Sequence, residues 1–87
     1  MTNQTTEHLD FSGLILGFSS AALHYLGVAA VPGRETALNL PLAKQNIEII
    51  RMLSEKTKGN LTADETKLVQ QLLADLQLKW VEASGNR

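Results

Sequence analysis

The stretch Ser54-Glu55-Lys56-Thr57-Lys58-Gly59-Asn60-Leu61-Thr62-Ala63-Asp64-Glu65 most narrows what this chain can fold into, because it stops one amphipathic helix and starts another. Gly59 marks the stop: the residue at C′ usually turns left-handed, which costs a side chain roughly 1 kcal/mol and glycine little. Thr62 marks the start. Its hydroxyl can accept an orphan backbone N–H, while Glu65, three residues on, reaches back to the Thr62 amide in a capping box. Asp64 and Glu65 place negative charge at the positive end of the new helix, and Lys56 and Lys58 place positive charge at the negative end of the old one. Gly59, Thr62 and Glu65 therefore form a structural turn between two antiparallel helices.

On the N-terminal side of that hairpin, residues 1–9 are polar and without hydrophobic period, and are expected to be a disordered tail. Asp10 is the expected N-cap of a first helix. Phe11, Leu14, Ile15, Phe18, Ala22 and Tyr25 recur at intervals of three and four and predict its core face. Leu16 and Leu23 fall on the other side, beside Ser12, Ser19 and Ser20. A helix apolar on both sides is usually buried on both sides. A further stripe holds Gly13, Gly17 and Ala21, with Ser20 and His24 beside them. Small residues four apart let helices approach closely, within the chain or between copies.

Gly27 to Leu38 breaks the pattern and contains Val31-Pro32-Gly33-Arg34, with Pro and Gly where a type II turn wants them. This segment reads as a loop, with a short ribbon over 28–31 and 35–38 as the alternative. Asn39 is the expected cap of the second helix and Pro41 lies in its first turn, where a missing N–H costs least. Leu42, Ala43, Ile47, Ile50, Leu53 and Thr57 predict its buried face, and Lys44, Glu48, Arg51 and Glu55 its solvated one. Asn46 falls within the apolar stripe and is expected to bond a loop carbonyl or a facing helix, since an unsatisfied buried amide costs about 1–3 kcal/mol. The third helix is predicted from Ala63 to about Glu82, roughly 30 Å long at 1.5 Å per residue. Val69, Leu72, Leu73, Leu76 and Trp80 make its core stripe, whereas Leu78 and Val81 project on the far side. Residues 84–87 read as a frayed end, leaving 10–83 as a single helical domain.

The run Glu55-Lys56-Thr57-Lys58-Gly59-Asn60-Leu61-Thr62 resembles the signature of small bacterial proteins grouped as domain-of-unknown-function family 1844. Asp10-Phe11-Ser12, the stretch 22–27, Asn39-Leu40 leading into Ala43-Lys44-Gln45, and Trp80-Val81 are similar to that family's pattern, which spans 10–83. The resemblance implies a complete bacterial domain. It implies no activity, substrate or site residue, because the family has none assigned.

Little here points to chemistry. The chain has no cysteine, which removes disulfides, thiolate zinc sites and thiol nucleophiles, and fits a reducing compartment. Ser20 and His24, one helical turn apart, are the sole local nucleophile–base candidate, and a lone histidine on an apolar helix is more often a packing residue. His8 and His24 have no metal-ligand spacing, and Gly13 and Gly17 sit in a helix rather than a phosphate loop. No enzyme activity, metal or cofactor is expected. Eight basic and nine acidic residues give a net charge of −1, which exerts no general pull on nucleic acid or acidic lipid. Phe11 to Leu26 lacks the positive flank of a signal peptide and the length of a membrane span, so a cytoplasmic location is expected.

The expected fold is all-α: three helices, the second and third as a long antiparallel hairpin, completed by oligomerisation. Eighty-seven residues bury only about 60% of the unfolded surface, so a self-made core is marginal. The expected function is a non-enzymatic homo-oligomeric interaction or scaffold module, a dimer first, with Gly13, Leu16, Gly17, Ser20, Leu23, His24, Leu78 and Val81 at the interface. Another protein is a further partner class. The alternative is a module binding nucleic acid or a small ligand between subunits; nucleic acid is not expected on these charges.

Overall fold

Three helices pack around one core in a computed structural model that describes residues 10–28 and 38–85. They are α1 (Phe11–Tyr25), α2 (Leu40–Lys56) and α3 (Ala63–Gly85), and among the described residues there is no strand. The expected tail over 1–9, the Val31–Arg34 turn with its alternative ribbon, and residues 86–87 lie outside the described residues. α1 packs chiefly on α2, which packs on α3, and α1 also meets α3.

Each helix begins where its sequence offers a cap. Asp10, extended at φ −82° and ψ 172°, accepts the Gly13 N–H at 2.8 Å. Asn39 accepts the Leu42 N–H at 3.1 Å, with Pro41 in the first turn. The capping box of α3 is formed on both sides: Glu65 N–H donates to Thr62 Oγ1 at 3.1 Å and Thr62 N–H to Glu65 Oε1 at 2.9 Å.

The helix ends divide differently from the sequence reading. α2 ends at Lys56, and Thr57 closes it by donating its hydroxyl to Leu53 O at 2.6 Å. Gly59 is left-handed at φ 89°, as anticipated, but it lies two residues beyond the Thr57 cap rather than at C′. It is the third residue of a turn that Asn60 N–H closes on Thr57 O at 2.8 Å. The reciprocal end motif occurs instead on α1. There Gly27 N–H donates to His24 O and Val28 N–H to Leu23 O, both at 3.1 Å, with Gly27 at φ 76°. Those two bonds satisfy carbonyls that the helix leaves orphaned, the Schellman pattern. Asn39 N–H then donates to Tyr25 O at 2.7 Å and ties the end of α1 to the start of α2. α3 runs three residues past its predicted end, to Gly85, so Ser84 and Gly85 are helical rather than frayed.

The core consists of Ile15, Ala22 and Leu26 from α1 and its cap, Ala43, Ile47 and Ile50 from α2, and Val69 and Leu76 from α3. Ser19 is buried with them. α1 is thus rotated from its predicted orientation: Leu14, assigned to the core face, is 48% exposed, while Ser19, assigned to the outside, is 4% exposed. Leu23, also assigned outside, packs against the core. Asn46 is half-buried, and its amide donates at 2.9 Å to Leu42 O of its own helix, not to a loop or a facing helix.

Thr62→Ala should cost about 1 kcal/mol through the lost cap. Gly59→Ala should cost a similar amount by conformation alone, since an added Cβ meets nothing within 4 Å. Urea titrations of both variants check this; a midpoint unchanged from wild type would mean that the turn contributes nothing to stability.

Candidate interaction surfaces

With the core facing inward, the outer surfaces follow from helix geometry. On α1 the residues opposite Ile15, Ser19 and Ala22 are Gly13, Gly17, Ser20, Ala21 and His24, flanked by Leu14 and Leu16. Gly17 and Ser20 are exposed, Leu16 is 47% exposed, and Gly13, Ala21 and His24 are half-buried. A Cβ built on Gly17 meets nothing within 4 Å, so no described neighbour requires glycine there. His24 stacks edge-on against Tyr25, with ring centroids 5.3 Å apart, and its Nδ1 is buried without a hydrogen-bond partner.

On α3 the far side holds Leu78 and Val81, 58% and 57% exposed. Since α1 and α3 pack on each other, their outward faces point apart. The candidate interface residues accordingly fall into two patches: Gly13, Leu16, Gly17, Ser20 and His24 on α1, and Leu78 and Val81 on α3. Leu23 belongs to neither, because it packs inward. Met52, 47% exposed, stands alone on α2 among Glu48, Glu55 and Lys56.

One feature between α2 and α3 has no counterpart in the sequence reading. Trp80 Nε1–H donates to Leu40 O at 3.2 Å, and Lys44 Nζ lies 5.4 Å from the centre of the Trp80 ring. Lys44 thus packs over an aromatic face. Ile47 and Trp80 line a groove of about 230 Å³ together with Lys44, Glu48 and Gln77, and Val81 reaches its edge. The Gln77 amide lies against the Arg51 guanidinium, and assigning its oxygen to that side lets it accept from the cation. Helical periodicity could name each of these residues but not which would meet across the two helices.

Among the described residues the ion pairs are surface pairs within single helices, Glu48 with Arg51 at 3.3 Å and Asp75 with Lys79 at 2.7 Å. Such pairs contribute only a few tenths of a kcal/mol. Among the described residues no group of three or more His, Asp or Glu is gathered to hold a metal ion, and no helix is long and apolar enough to cross a membrane. What these surfaces offer chemically is apolar area.

A family model described as Domain of unknown function (DUF1844) matches residues 8–82. No curated protein and no solved structure matches the chain.

Proposed function

We propose that this chain, which belongs to the DUF1844 family, acts in the cytoplasm as a non-enzymatic interaction module that assembles with copies of itself, most simply as a dimer. The observation that supports this is the large apolar side chains left outside a completed core: Leu14 and Leu16 on α1, Leu78 and Val81 on α3, each 47–58% exposed. Single exposed leucines are ordinary on a protein surface. Here they come in pairs on two helices of a small chain, and α1 carries no Lys, Arg, Asp or Glu to turn outward in their place. Fully burying such a side chain is worth roughly 1.5–3 kcal/mol, so covering one exposed pair adds stability that matters to an otherwise marginal domain. A two-fold dimer is the commonest closed assembly and uses one patch twice.

Sedimentation equilibrium at micromolar concentration tests the proposal. The expected result is a folded species of twice the chain mass, persisting on dilution through the low micromolar range. A folded species of monomer mass that stays monomeric as concentration rises would overturn it.

A further inference from the structure

We infer that the surface joining two copies is the outward side of α1, paired antiparallel with itself about a two-fold axis at Gly17; the inference rests on the self-association proposed above. Asp10, Leu14, Gly17, Ala21 and His24 follow one another at intervals of four, three, four and three. That is the spacing by which one helix tracks along another. The row lies opposite the buried Ile15, Ser19 and Ala22; Asp10, Leu14 and Gly17 are exposed, and Ala21 and His24 are half-buried.

Charge decides what covers this row. On a two-fold axis a residue meets its own copy, so an ionised group there faces a like charge. The outward sides of α2 and α3 carry such groups, among them Glu48, Glu55, Lys56 and Lys67. Between Asp10 and Arg34 the sole acidic or basic residue is His24. The outer side of α1 can therefore lie against itself without like-charge repulsion at its centre. Gly17 points the same way. A mid-helix glycine costs about 1 kcal/mol relative to alanine, and this one is not required by any described neighbour. A second backbone crossing at that point gives the missing side chain a use.

Direction and register follow from the same residues. In an antiparallel pair centred on Gly17, paired positions sum to 34, so Asp10 faces the second copy's His24, Leu14 faces Ser20, and Gly13 faces Ala21. Carboxylate then meets imidazole at both ends, and a large side chain meets a small one in between. A parallel pair would set Asp10 on Asp10 and His24 on His24. Asp10 has capacity to spare, since it uses one carboxylate oxygen on the Gly13 N–H and keeps the other for a donor; the imidazole would have to meet it through a ring atom other than the buried Nδ1. Leu78 and Val81 on α3 take no part in this contact.

Because the chain has no cysteine, single-cysteine variants report the pairing directly. Disulfides form between residues whose Cα atoms come within about 4.4–6.8 Å. Leu14→Cys and Ser20→Cys, prepared separately and mixed under mild oxidation, should give a covalent dimer that neither gives alone. Gly13→Cys mixed with Ala21→Cys should behave alike, and serves as the second pair should a variant of the first fail to fold. Cross-linking of either variant alone would mean parallel pairing and overturn the register. Self-cross-linking of Leu78→Cys would place the contact on α3 and overturn the face. If the mixtures sediment as dimers without cross-linking, this geometry fails while self-association stands; if they and the unaltered protein sediment as monomers, both fall.

Discussion

An Ile50→Ala protein should lose about 2–5 kcal/mol of stability, the range for removing a buried isoleucine whose surroundings close only partly over the gap. Ile50 is fully buried in the middle of α2, the helix that touches both others, and it ranks among the largest side chains with no exposed surface. Domains of ordinary size are stable by only about 5–15 kcal/mol, and a short chain sits toward the lower end. The substitution should therefore leave a substantial unfolded population on modest warming. Met52→Ala, two residues on and facing outward, should stay within about 0.5 kcal/mol of wild type. Urea denaturation followed by circular dichroism, with all proteins at one concentration so that association is held constant, measures both. An Ile50→Ala midpoint equal to that of Met52→Ala would mean that the core is not centred on α2.

The next largest effect belongs to Trp80, which joins the far end of α3 to the first turn of α2. It packs on the core from a half-buried position and donates its indole N–H to Leu40 O. Fully buried tryptophans cost about 3–5 kcal/mol on truncation to alanine, so this half-exposed one should cost roughly 2–3 kcal/mol. Trp80→Phe keeps most of the ring contact and removes the N–H, and should cost about 1 kcal/mol, the net value of one hydrogen bond. The gap between the two variants in the same titration separates ring packing from the hydrogen bond. Equal losses would show that the ring contributes little, contrary to the contacts described.

The sequence made the helix starts legible because capping is local. Thr62 and Glu65, or Asn39 and the Leu42 amide, need only be three residues apart. The faces of α2 and α3 were legible because charged residues fix their outer sides. α1 has no such marker. With leucines at 14, 16 and 23 and serines at 12, 19 and 20, its period is clear but its phase is not. The stripe through Leu14 and Tyr25 is apolar enough to attract the reading, whereas the buried row through Ser19 and Leu26 lies roughly 60° round at about 100° per residue. That rotation moved Leu23 inward and Leu14 outward, and so changed which residues α1 can offer to a partner. The Trp80–Leu40 clasp and the groove beside it were hidden for another reason. They join positions 40 residues apart, and their meeting depends on how two helices slide past one another, which hydropathy along one chain does not record.

The hydrogen bond from Asn39 N–H to Tyr25 O bears on how this molecule tolerates added sequence. It brings the exit of α1 and the entry of α2 to one point, where a Cβ on Gly27 would also lie 3.7 Å from Leu38. A segment closed at its base in this way transmits little of its length to the elements it connects. Each doubling in the length of a flexible loop raises the closure cost by only about 0.6 kcal/mol. Relatives should differ in length here before they differ between α2 and α3, where the turn around Gly59 and the capping box leave no slack. A fluorescent or affinity peptide is best grafted between Val28 and Leu38.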